Sequence, residues 1–195
     1  MKKVNYLLFS MLAIALLMGI AGTAVAQSAP STGDDTIYFV SYFSNNVAAA
    51  PDATVRFIND GDTGGNLWAA FYVFDDSQEL TECCACVITP DGLLSESVKT
   101  QLTAAPITGK VPSRGVIKVI SSSTADPTNV YPTAGLRGWA THIQGPTKNV
   151  YSITETAFAD SNLVGAERNL LQNLCYYDAL LSGLPCTCTP EDHDF

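Results

Sequence analysis

Six cysteines are the residues whose type and spacing could do chemistry, and they fall in two clusters: Cys83, Cys84 and Cys86, then Cys175, Cys186 and Cys188. An even number of cysteines in an exported chain points to disulfides rather than free thiols. Geometry prunes the pairings. Cys83 and Cys84, being adjacent, could join only through a strained ring, and a Cys-x-Cys bridge is strained too. The two clusters are therefore expected to bond across to one another. If residues 83–88 form a strand, Cys84 and Cys86 share one face and Cys83 takes the other. Cys186 and Cys188 would also share a face if extended. The simplest arrangement sets Cys84 and Cys86 against Cys186 and Cys188, with Cys83 reaching Cys175 on a preceding helix. The competing chemistry is a metal centre, in which Cys-x-Cys pairs and His193 hold zinc or copper(I). An oxidising compartment argues against it, and no cofactor or metal is expected.

Other candidates for chemistry are few. The histidines are His142 and His193. His142 falls in a strand pattern on the face opposite Trp139, where a hydrogen-bonded structural imidazole is the ordinary reading. No Gly-x-Ser-x-Gly elbow accompanies it to nominate a nucleophile. Glu82 and Glu155 could in principle form a glycosidase pair, but both read as solvated strand residues. Residues 59–66 (Asn-Asp-Gly-Asp-Thr-Gly-Gly-Asn) offer Asp60 and Asp62 as a calcium-loop candidate. Gly64 and Phe71 stand where an EF-hand would need oxygen ligands, so a glycine-rich turn between strands is the plainer reading. The aromatic residues Tyr38, Phe39, Tyr42, Phe43, Trp68, Phe71, Tyr72 and Phe74 are expected in the core; a row of them left exposed would bind a sugar ring.

The chain opens as an export signal. Lys2 and Lys3 precede an apolar run over residues 6–20, and Ala24-Val25-Ala26 ends in a small-x-small cleavage site. Cleavage after Ala26 is expected, with no membrane insertion afterwards, placing the protein outside the cell, at its surface or in the periplasm. Ten basic against nineteen acidic side chains give a net charge of −9, and losing the leader removes two more positive charges. Such a balance excludes nucleic acid and anionic membrane as natural partners. Residues 27–195 fit one domain with a sizeable core.

Those cysteines need a framework, and the periodicity supplies one. Residues 27–35 read as a polar tail. Alternation of β-forming residues marks strands at 37–43, 53–59, 66–74, 82–88, 115–121, 136–144 and 149–157, the last two joined through Gly145-Pro146. Residues 95–102 read as a short helical segment, and Thr89-Pro90-Asp91-Gly92 as a tight turn. From residue 161 the period becomes helical to residue 182, with Asp160 or Ser161 as cap, Gly183 and Pro185 as stop, and Leu163, Leu170, Leu174 and Leu181 as the stripe that packs on the sheet. The fold expected is mainly β: an immunoglobulin-like β-sandwich with one C-terminal helix and a disulfide-clamped tail.

The stretches 82–86, 89–93, 115–118, 136–142 and 186–188 together resemble a group of secreted, disulfide-rich bacterial proteins of unknown function. The resemblance implies an exported, disulfide-bearing domain and carries over no activity or site. The functional expectation is an exported structural or interaction protein, not an enzyme: a subunit of an extracellular filament, surface or matrix assembly. Its partner would be another copy or another extracellular protein. The first strand follows a loose tail, so Ile37, Phe39, Val40, Tyr42 and Phe43 are the candidates for completing a neighbour's sheet. The alternative is a soluble carbohydrate- or protein-binding module, with a hydrolase last.

Overall fold

The computed structural model describes residues 37–44, 51–147 and 150–182 together with Cys186 and Cys188. The leader, the 27–35 tail, Gly183, Pro185 and His193 lie outside them. The strands are β1 (Tyr38–Ser44), β2 (Thr54–Asn59), β3 (Leu67–Asp75), β4 (Leu80–Ile88), β5 (Leu93–Ser97), β6 (Arg114–Ser122), β7 (Leu136–Thr147), β8 (Val150–Ala157) and β9 (Ala159–Asp160), followed by helix α1 (Gly165–Ser182). One sheet runs β4-β3-β6-β1-β9 and the other β5-β2-β7-β8. Every pairing is antiparallel. The protein is thus mainly β, two antiparallel sheets face to face with a helix on the outside of the first.

β3 shows why the first sheet is buried on both sides. Its odd residues Leu67, Ala69, Phe71 and Val73 join the core between the sheets. Its even residues Ala70, Tyr72 and Phe74 join a second apolar cluster with Leu171 and Cys175 of α1. Near-continuous apolar strands are what a sheet covered on two faces requires. Phe57 is the hub of the inner core, its ring 5.7 Å from Phe39, 5.7 Å from Phe71 and 4.9 Å from Phe158. Gly138 of the neighbouring β7 leaves room for it: a Cβ there would lie 2.3 Å from the ring.

Several elements depart from the periodic reading. Of the residues expected to be helical, 95–97 belong instead to β5, because Leu94 and Glu96 turn inward and the segment pairs with β2; Val98–Leu102 forms a helical turn, capped by the Ser97 side chain accepting from the Thr100 N–H. Gly145-Pro146 sit within β7 rather than between strands. Asp160 and Ser161 do not cap the helix. Asp160 pairs with Phe39, and the Ser161 N–H donates to the Tyr38 carbonyl, which holds the chain extended until α1 begins at Gly165.

The leucine stripe is displaced in part: Leu163 packs in the cluster under α1 and Leu174 is half-buried. Leu171, Cys175 and Asp178 face the sheet, while Leu170 and Leu181 are 51% and 76% exposed. A covalent bond at Cys175 fixes the helix's rotation, and side chains four before and three after it must share its face.

Candidate functional site

The disulfides join Cys83 to Cys175, Cys84 to Cys186 and Cys86 to Cys188. All three start from β4, where alternation splits them: Cys84 and Cys86 enter the core between the sheets, Cys83 the cluster under α1. The sulfurs of Cys84, Cys86 and Cys188 lie within 4.8 Å of one another, but each is bonded to carbon and to a second sulfur and offers no thiolate to a metal. Bridges spanning 92, 102 and 102 residues each stabilise the fold by on the order of 4 kcal/mol through the entropy of the unfolded chain. Three disulfides fit an oxidising compartment, and among the described residues no helix is long and apolar enough to cross a membrane.

His142 is buried, its ring stacked on Tyr42 at 4.1 Å, with Nε2 2.8 Å from Thr156 Oγ1. Burial holds its pKa below the ordinary histidine value, so the ring is neutral. Glu82 corrects the solvated reading. It is 1% exposed, and one carboxylate oxygen accepts from the Ala105 N–H at 2.5 Å. Burial raises its pKa to about 7, with Asp178 adding repulsion against the Ala105 hydrogen bond. Glu155 lies on the other sheet's edge, 2.8 Å from Arg56. Among the expected core aromatics Tyr38, Phe39, Phe43, Phe71 and Tyr72 are buried, and Tyr42 is half exposed.

The calcium-loop candidates fall between β2 and β3. Asp60 spends one oxygen on the Asp62 N–H at 3.2 Å and the other 3.5 Å from Arg137. Asn59 closes the loop from beneath, accepting from the Gly61 N–H and donating to the carbonyls of Gly65 and Ile88. Gly61 and Gly64 take left-handed φ of 79° and 64°, as a tight turn needs.

The strand expected to serve a neighbour is used at home. β1 pairs with β6 from Tyr38 to Ser44 and with β9 at Phe39 and Val40; Phe39 and Phe43 fill the inner core, while Ile37 and Val40 pack in the cluster under α1. Of the edge strands β4, β9, β5 and β8, the last is the most exposed. Among the described residues β8 ends the second sheet, pairs with β7 alone, and is exposed at all eight positions. Periodicity alone could not find this, because V-Y-S-I-T-E-T-A alternates like any half-buried strand.

No family model matches the chain, and no curated protein matches it. Among solved structures, the crystal structure of Thermotoga maritima 1070 is similar at 12% identity, with a TM-score of 0.43, over 64% of this chain and 92% of that one. A likeness at that level carries no argument about fold or role.

Proposed function

We propose that this is an exported structural or interaction protein without a catalytic role, a subunit of an extracellular filament, surface or matrix assembly that adds strands at β8. An immunoglobulin-like relationship for the sandwich belongs to the same proposal. The observation that carries it is the undefended edge. Exposed edge strands are ordinarily blunted by lysine, proline or a bulge that turns them away. β8 contains neither lysine nor proline, and its register irregularity falls at the hairpin end, between Gln144 and Thr147. Its one charge, Glu155, is held by Arg56. Val150 and Ile153 stand 66% and 53% exposed along it. The edge can therefore add a strand with full backbone hydrogen bonding, the mode by which sheets recruit extended partners. Stiffness from three buried bridges suits a building unit exposed to the extracellular medium.

The test is the mass of the exported chain by size-exclusion chromatography with light scattering. Val150→Lys with Ile153→Lys places two positive charges on the edge and should reduce the assembled mass while leaving the thermal midpoint within a few degrees. Unchanged assemblies would remove β8 from the role. A wild-type monomer at every concentration would transfer the protein to the alternative reading, a soluble carbohydrate- or protein-binding module.

A further inference from the structure

Two of the three bridges lie side by side. Cys84 and Cys86 occupy alternate positions of β4 and turn into the core between the sheets. Their sulfurs stand 3.9 Å apart, although each is bonded elsewhere: Cys84 to Cys186, Cys86 to Cys188. The sulfurs of Cys84, Cys86 and Cys188 lie within 4.8 Å of one another, and among the described residues no histidine or carboxylate joins that group. The bridge from Cys83 to Cys175 is separate, because both residues belong to the cluster under α1, on the other side of the sheet. Two Cys-x-Cys pairs therefore gather four sulfurs at one point. One pair is fixed by the pairing of β4 with β3, and the other is carried by the chain that follows α1.

As disulfides these sulfurs bind no metal. A dithiol reductant changes their chemistry. Each bridge takes two electrons and two protons from one dithiol, which closes into its own disulfide, so two equivalents leave four thiols in one place. We propose that in the reduced chain Cys84, Cys86, Cys186 and Cys188 form a tetrathiolate site for one zinc ion. Spacing supports it. Four sulfurs each about 2.3 Å from a zinc ion at the centre of a tetrahedron stand about 3.8 Å from one another, and β4 already holds two of them at 3.9 Å. The donor set supports it too: soft thiolates select zinc over calcium or magnesium, and four cysteines in two closely spaced pairs are a recurrent structural zinc set. Cys84, Cys86 and Cys186 are 3%, 1% and 5% exposed, which shields a bound ion from water, while the partly buried Cys188 is its side of entry. Each thiol gives up its proton as the metal binds. Closing both bridges again passes four electrons to two disulfide equivalents of an oxidised carrier, which takes four protons from solvent, and the ion is expelled. Ion and disulfides thus tie the same two segments together, one in the reduced chain and the other in the oxidised.

The site is independent of the β8 edge, and its test reads the metal alone. The exported chain is reduced under nitrogen with dithiothreitol, freed of it by gel filtration, and titrated with cobalt(II) as a coloured stand-in for zinc. One equivalent should bring up the intense visible bands of a tetrahedral cobalt thiolate, and one equivalent of zinc should bleach them. Native mass spectrometry of the reduced chain with zinc should show a single bound ion. Cys83→Ser with Cys175→Ser removes the separate bridge, leaves the other two to hold the fold before reduction, and should keep the bands. Cys86→Ser with Cys188→Ser takes two of the four ligands and should abolish them. A reduced wild type without the bands, or one that binds more than one ion, overturns the site. So do bands that survive the Cys86 and Cys188 substitutions, or bands lost with Cys83 and Cys175, since either would place the ligands outside the four-sulfur cluster.

Discussion

Glu82 stands two residues before Cys84 with its carboxyl buried and its pKa raised by that burial to about 7 from 4.5. The folded chain keeps this proton up to about pH 7, while the unfolded chain releases it near 4.5. The stabilisation is therefore complete below pH 4.5 and is lost as pH rises through that window. Glu82→Gln preserves the acceptor for the Ala105 N–H and cannot ionise. Its denaturant midpoint should match wild type at pH 4 and exceed it at pH 8, where the unfolding free energy should be higher by on the order of 3 kcal/mol; equal midpoints at pH 8 would mean that the carboxylate is solvated. His142 acts in the other direction. Burial depresses its pKa, so its contribution is present above 6.5 and is lost as pH falls below that. Gly138→Ala would drive a methyl into the Phe57 ring and should cost about 1–3 kcal/mol in chemical denaturation. The grouping of the cysteines was legible because ring strain excludes the local bridges and strand alternation separates Cys83 from Cys84 and Cys86; which of Cys186 and Cys188 meets Cys84 was not, because alternation puts both on one face and leaves the register open. Glu82 was not, because burial of an acid depends on a loop, residues 103–107, that meets it only in three dimensions.

Helix α1 and the outer strands show where periodicity stops being enough. An apolar stripe states that a helix has an apolar side, and the sheet was the obvious cover. The bridge at Cys175 decides instead, and it turns Leu171 and Asp178 inward. Removing that bridge with Cys83→Ser and Cys175→Ser should cost about 4 kcal/mol, and amide exchange should accelerate over residues 165–182 more than in β3 and β6. Equal protection in the helix would show that contacts other than the bridge hold it. β3 and β6 were legible from their composition, since strands buried on both faces must be apolar at successive positions. β5 and β9 were not. Five residues ending in a helical turn resemble a helix, and two residues carry no period at all; each exists because a neighbouring strand offers it hydrogen bonds.

A two-fold contact between β8 edges, as proposed, closes a dimer, whereas an extended segment of one copy laid on the β8 edge of the next continues head to tail. Because the subunit is acidic, repulsion opposes each addition, and salt screens it over roughly 10 Å at 0.1 M. Assembly should therefore tighten as sodium chloride is raised, with the scattered mass growing at fixed protein concentration; a mass that falls with salt would point to ion pairs across the contacts.

The convergence of all three bridges on β4 has a mechanical meaning. A pull on the two ends of the chain is shared between the Cys84–Cys186 and Cys86–Cys188 bridges, so the spans of 102 residues that they close cannot be drawn out. At roughly 3.5 Å per residue that withholds about 350 Å of extension. The oxidised protein is a short tether with a hard limit, and reduction turns it into a long one.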